Sequence, residues 1–257
     1  MSYANLERRG AVAVITIDRE ERLNALGIEL VEDVVAALRD AAAEAAVHAA
    51  VLVGAGRAFS SGGDLADIGA RVADGAAEAR LEVMGSLHRL ITGLRDSRLP
   101  VVAAVHGPAY GAGFSTVLAC DLVVAARDAR FCQVFVRRNL VPDLGSAWLL
   151  PRAVGIQAAK ELMLLGEEIS AEEAHRLGVV NRIVETPEQA LAEAVALAER
   201  LAATAPATIA MAKDLINRGQ SSTLEDSLRH EAHAQAIALG TDEALAAMRG
   251  FVDKSAR

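Results

Sequence analysis

The sequence predicts an α/β fold that passes into an all-helical C-terminal region. Three observations carry this. Short apolar runs of strand length alternate with helix-patterned stretches; two of those runs end in glycine-rich loops; and beyond Pro187 alanine-rich helical patterns follow one another with no strand candidate between them. At 257 residues the chain is long enough to bury a sizeable core as one domain, or one domain with a helical appendage.

Val12–Ile17 is the first strand-length apolar run, and residues 27–44 then set Ile28, Val31, Val34, Val35 and Leu38 at helical spacing. Ala49–Gly54, Val101–Val105 and residues 122–125 read as further buried strands, separated by helical stretches over 76–94 and 111–119. The C-terminal helices are expected at 188–203, 206–217, Leu224–Leu239 and 242–251, with a break at Gly219-Gln220-Ser221-Ser222. No Pro/Ser-rich linker, charge run or fixed-period repeat divides the chain. The expected organisation is a core with the active site over 1–195 and a helical region over 196–257.

Composition excludes several classes of function. With 26 basic and 34 acidic residues, the positive charges scattered, the chain shows no footprint for nucleic acid. Cys120 and Cys132, the only cysteines, lie in apolar surroundings, which suits buried free thiols in a reducing compartment. The longest apolar stretch, 101–126, is broken by His106, Gly107, Pro108, Gly111, Gly113 and Asp121, and no basic-then-apolar signal begins the chain, so a cytoplasmic protein without a membrane span is expected. Neither glycine stretch fits a dinucleotide or phosphate-loop pattern, and no His/Cys/carboxylate cluster has metal-ligand spacing. Ser60 and Ser61 lack a recognisable His-Asp partner for covalent hydrolysis. His88, in a helical pattern, and His106, before a turn, read as surface or core histidines.

The most informative feature is the pair of glycine-rich stretches at residues 58–65 and 106–113. Glycine after a strand marks a turn in most chains. Two such loops together also let backbone N–H groups approach one ligand closely, and N–H groups from separate loops can clamp a developing negative oxygen, the outline of an oxyanion hole.

These two loops, in this order, together with Arg22-Leu23-Asn24-Ala25-Leu26, Cys120-Asp121, Pro142-Asp143-Leu144-Gly145, residues 171–184, Phe251 and Lys254, resemble the crotonase superfamily, the enoyl-CoA hydratase/isomerase family. The resemblance runs over nearly the whole chain. It implies a crotonase-like spiral of ββα units followed by a helical trimerisation region, with a homotrimer or homohexamer as the assembly. It also implies an acyl-CoA thioester substrate, coenzyme A being part of the substrate and no separate cofactor being required. Matched motif to motif, the oxyanion donors fall on the N–H groups of Ser61 and Ala112, the latter opening a helix whose N-terminal partial positive charge adds to enolate stabilisation. Ser60, Gly62, Gly63, Asp64, Leu65 and Gly111 flank them, and Asp64 reads also as a loop-fixing helix cap. Adenosine contacts are implied at Arg22, Leu23 and Ala25. Phe251 and Lys254, one helical turn apart, fit a pair that reaches a neighbouring subunit's CoA, or else an ordinary terminal helix.

The positions that match the two glutamates of the family's hydratases are Ser115 and Phe135, neither of which is an acid or base. Ser115 can orient a polar group or bond back along its own helix; Phe135 packs against the acyl chain or the core. Asp143 matches a position where isomerases of the family carry an acidic catalytic residue, and its surroundings resemble the ring-epoxide isomerases of phenylacetyl-CoA degradation. Local sequence alone also fits Asp143 as a helix N-cap. The preferred reading is an enoyl-CoA or ring-epoxide acyl-CoA isomerase with Asp143 as its base. Alternatives are a hydratase with a variant site, or a non-catalytic acyl-CoA-binding paralogue.

Overall fold

The computed structural model describes residues 2–73 and 77–255, with side chains as far as Phe251. Strands β1 (Ala4–Arg9) and β2 (Val12–Ile17) form an antiparallel hairpin, and helix α1 (Ile28–Ala43) leads to β3 (Ala49–Gly54). Helices α2 (Leu65–Val72) and α3 (Ala77–Asp96) precede β4 (Val101–Val105), the short β5 (Pro108–Tyr110) and α4 (Ala112–Ala119). The strand–strand–helix order recurs in β6 (Leu122–Ala126), β7 (Arg130–Cys132) and, past a 3-10 turn at Val134–Arg138, α5 (Ser146–Val154). Then come α6 (Ile156–Leu165), β8 (Glu168–Ser170), α7 (Ala171–Arg176), β9 (Arg182–Val184), α8 (Pro187–Ala202), α9 (Pro206–Gly219), α10 (Leu224–Leu239) and α11 (Asp242–Ser255).

Six strands make the main sheet in the order β1-β2-β3-β4-β6-β9, parallel from β2 onward; β5, β7 and β8 form a second, smaller sheet. The continuous apolar runs are explained by burial on both faces. Leu52, Ala103 and Val123 point into the larger core with Leu30, Val34, Leu90 and Phe114, while Val51, Val102 and Val124 face Ala190, Ala194, Leu197 and Ala198 of α8. The boundary expected at 195–196 falls inside α8, a single helix with buried residues on either side of it.

Every strand and helix expected from the pattern is present, although residue 76, where the second helix was expected to begin, lies outside the described residues. Strand β1 has one buried residue and an otherwise exposed face, so it carried no apolar run to find. Strands β5, β7, β8 and β9 are three residues each, too short to show a period. Among the described residues no single helix is long and apolar enough to cross a membrane.

Helix α9 is tied to the core by one buried ammonium. Lys213 Nζ donates to Leu94 O (2.9 Å), Leu99 O (3.0 Å) and Asp121 Oδ2 (2.7 Å). Asp121 also accepts the Val101 N–H at the start of β4. Removing one partner of a buried pair leaves the other charge uncompensated, at a cost of about 3–5 kcal/mol. Lys213→Ala is accordingly expected to lose about 3 kcal/mol of stability in urea unfolding, whereas the exposed Arg218→Ala, whose guanidinium pairs with Asp214 one turn away, shifts the midpoint little.

Candidate active site

Asn24 organises the first glycine loop. Fully buried and left-handed at φ 57°, it donates from Nδ2 to Ala55 O (2.9 Å) and Ala58 O (2.8 Å), and its Oδ1 accepts the Arg19 N–H. The chain at 22–26 is thereby laced to the loop after β3: Ser60 Oγ donates to Asn24 O at 2.8 Å, Leu26 N–H to Gly62 O at 2.7 Å and Asp64 N–H to Leu26 O at 3.0 Å. Arg22, Leu23 and Ala25 lie on this seam beside Ser60 to Asp64. Ser61 Oγ donates to Arg22 O at 3.3 Å.

The second loop meets the first backbone to backbone. Ser60 N–H donates to Pro108 O, and Ser60 O accepts from Tyr110 N–H, both at 3.0 Å. Two glycines permit the closeness. A Cβ on Gly62, at φ +106°, would sit 2.8 Å from Tyr110 O, and one on Gly113 would sit 2.6 Å from Ser60 O.

The availability of each N–H separates the candidate donors. Ser61 N–H donates to Leu23 O at 2.9 Å, and Gly111 N–H to Cys132 O at 2.8 Å. The first bond within α4 is Ser115 N–H to Gly111 O, which leaves the N–H groups of Ala112, Gly113 and Phe114 outside the helical ladder. Among the described residues Gly63 N–H likewise has no intramolecular acceptor. A cavity of about 160 Å³ opens beside these groups, lined by Ser61, Gly63, Leu65, Gly111, Phe135 and Leu140 among others. A larger groove of about 860 Å³ between the end of α3 and helices α9 and α10 shares no lining residue with it.

Two carboxylates near the loops have different environments. Asp64 caps α2, its Oδ1 accepting the N–H groups of Ala66 and Asp67, and its Oδ2 pairs with Arg19 at 2.9 Å. Burial works to raise its pKa, but the Asp67 N–H, the Arg19 guanidinium and the Ala66 N–H hold it below the ordinary aspartate range. Its oxygens are committed to the framework. Asp143 is not a helix cap: α5 starts from Gly145, with no side-chain cap. Its Oδ1 accepts from Leu144 N–H and lies 2.7 Å from Nε2 of His88 on α3, while its Oδ2 receives no hydrogen bond among the described residues. The backbone here is unusual, with Leu144 at φ 48° and Gly145 at φ 71°, both left-handed.

Ser115 ties Asp143 to the glycine loops. Wholly buried, its Oγ bonds to Gly111 O (3.1 Å) and Asp143 O (3.2 Å), so it fastens α4 to the Asp143 loop and turns no hydroxyl toward the cavity. Phe135 is half-buried and lines the cavity. His88, read from the sequence as a surface or core histidine, has its side chain 48% exposed, and what that reading did not foresee is its contact with Asp143. A contact across 55 positions leaves no local signal. Phe251 is exposed on α11, and the side chain of Lys254 lies outside the described residues. Both cysteines are free, and burial pushes both thiols above their ordinary range, away from nucleophilic thiolate. Among the described residues no group of His, Cys, Asp and Glu is arranged to hold a metal ion.

The enoyl-CoA hydratase/isomerase family model matches residues 7–256. The chain belongs to that family. It is 41% identical over 246 residues, 96% of each chain, to a Thermus thermophilus protein that bears the name enoyl-CoA hydratase. It is 35% identical over 228 residues to the 1,2-epoxyphenylacetyl-CoA isomerase of Escherichia coli, covering 88% of this chain and 86% of that one. A crystal structure of an enoyl-CoA hydratase from Polaromonas sp. JS666 superposes with a TM-score of 0.92 at 35% identity, covering 98% of this chain and 97% of that one. The crotonase-like α/β fold expected from the motifs is thus the fold observed.

The loop contact sets a test of this family member's site. Gly113→Ala places a methyl group against Ser60 O and is expected to cost about 1–3 kcal/mol in denaturant unfolding. It should also lower kcat/KM for a CoA thioester by about a hundredfold, because the free N–H groups at the start of α4 move with the loop. An unchanged kcat/KM would show that the loops need not approach so closely.

Proposed function

We propose that the protein forms the enolate of an acyl-CoA thioester and returns the proton at a different carbon, isomerising an enoyl-CoA with Asp143 as its single base. The observation that carries this is the free Oδ2 of Asp143, on a loop fastened by Ser115 to the first turn of α4. In this reading the thioester oxygen lies between the N–H groups of Gly63 and Ala112. Gly63 replaces Ser61 as the first donor, because Ser61 N–H is held by Leu23 O. Hydrogen bonds that strengthen as the oxygen becomes negative lower the barrier to C2 deprotonation, and one such donor contributes about 2.7–4 kcal/mol. The α4 N-terminus adds favourable partial charge.

The proton balance needs one carboxylate. Oδ2 takes the proton from C2 of a 3-enoyl thioester; the C3–C4 double bond moves to C2–C3 as the enolate collapses; and the same proton, or one exchanged with solvent, is delivered to C4. Ser115 and Phe135, where hydratases of the family carry glutamates, supply no acid or base for water addition. The similarity to the Escherichia coli ring-epoxide isomerase supports an isomerase and makes ring-epoxide acyl-CoA a second substrate class to test.

A second reading, hydration of an enoyl-CoA by a variant site, is favoured by the names of relatives such as the Thermus thermophilus protein and the short-chain-enoyl-CoA hydratase of Clostridium acetobutylicum, 31% identical over 250 residues. Formation of 3-hydroxyacyl-CoA distinguishes it. A third, non-catalytic acyl-CoA binding, predicts a bound thioester with no exchange at C2. Further proposals are adenosine contacts at Arg22, Leu23 and Ala25, a neighbouring copy's Phe251 and Lys254 on the CoA, and a cytoplasmic homotrimer or homohexamer. The assembly is supported by exposed Ile216, Leu224, Leu228 and Ile237 on α9 and α10. No nucleic acid, membrane or separate cofactor enters this scheme.

Incubation with a 3-enoyl-CoA in deuterated water tests the main reading. The parent enzyme should give the 2-enoyl product with deuterium at the exchanged carbons, and Asp143→Asn should lose at least about a hundredfold in rate. Full activity in Asp143→Asn would remove the base assignment.

A further inference from the structure

We infer that His88 is a positioning residue for Asp143, its Nε2–H locking one carboxylate oxygen so that the other alone carries the proton; this rests on the base assignment above. The geometry is specific. An ionised carboxylate only accepts hydrogen bonds, so at 2.7 Å from Oδ1 the hydrogen is on His88 Nε2. Leu144 N–H meets the same oxygen, which gives Oδ1 two donors and Oδ2 none among the described residues.

A carboxylate attached through one carbon otherwise exchanges its two oxygens by rotation about χ2, a broad and soft torsion. A base that serves two carbons in turn needs one oxygen to stay aimed while the proton rests on it. The His88 bond meets this need in both halves of the reaction. When Oδ2 is protonated, Oδ1 is the carbonyl oxygen of the acid and still accepts from Nε2. The imidazole proton is never transferred, so the histidine leaves the proton balance unchanged.

The supports on either side are independent of each other. His88 stands on α3, whose Leu87, Leu90, Ile91 and Leu94 are buried in the main core, so the helix offers a fixed base for the ring. The Asp143 backbone is held from α4 by Ser115 Oγ and from α5 by Ser146 N–H, both on its carbonyl oxygen, and the next side chain, Leu144, is buried. With the main chain fixed by α4 and α5, the remaining freedom of Asp143 is that of its side chain, where the α3 histidine acts. The His88 side chain is itself 48% exposed, so changing it removes the hydrogen bond without opening the core.

The experiment compares His88→Ala, His88→Gln and Asp143→Asn on a 3-enoyl-CoA, with kcat and KM measured separately. Gln offers an amide N–H close to the place of Nε2. His88→Ala is expected to lower kcat by about tenfold to a hundredfold with KM within about twofold. His88→Gln should recover most of the loss, added imidazole should partly rescue His88→Ala through the opening left at the surface, and thermal unfolding of all three should match the parent. Parental kcat in His88→Ala beside an inactive Asp143→Asn would overturn the positioning role and leave the base in place. Equal losses in Ala and Gln would overturn the hydrogen bond as its means. An active Asp143→Asn would remove the base, and this inference with it.

Discussion

The contact on which the site depends is backbone against backbone, where the loop after β3 pairs with the loop after β4. Ser60 exchanges two hydrogen bonds with the Pro108–Tyr110 strand, and the Gly113 Cα stands so close to the Ser60 carbonyl that no side chain fits between them. Parallel strands β3 and β4 are neighbours in the sheet, so their carboxyl ends deliver both loops to one edge. Asn24 then reinforces the first loop from behind with its buried amide. Each N–H that satisfies this framework is unavailable to a ligand. The ones left over, on Gly63 and in the first turn of α4, are the ones the framework leaves open to a ligand.

The same reasoning divides the carboxylates. Asp64 and Asp143 both follow turns close to helix starts, and only the inventory of their partners tells them apart. Asp64 gives one oxygen to a helix N-terminus and the other to a guanidinium, and it is held ionised by both. Asp143 crowds its donors onto one oxygen. Asp64 thus spends its whole accepting capacity on the framework, whereas Asp143 leaves one oxygen without a donor among the described residues.

Much of this was legible in the sequence, for physical reasons that can be named. Ala49–Gly54 and Val101–Val105 stood out because a strand covered on both faces must be apolar throughout, and α4 was marked by the glycines that let it begin against another chain segment. The start of α4 at Ala112 was legible because a helix start is a local event. Ser61 was a different matter: its N–H is taken by Leu23, across thirty-eight positions, and only the fold reveals which amide is spent. His88 was hidden for the same reason. The helical pattern that begins after Pro187 suggested a separate region, with its boundary at 195–196, yet α8 is helical in form and packs as a layer on the core.

Lys213 gives the order of synthesis a structural meaning. Its ammonium accepts no bond and donates to the Leu94 carbonyl in the last turn of α3, where the helix has oxygens to satisfy and a partial negative charge to neutralise. That cap arrives from 119 residues further along the chain. While the protein is being made, the end of the helix that carries His88 must wait for most of the remaining polypeptide before it can be closed. Closing the C-terminal end of α3 is thus a late, long-range event.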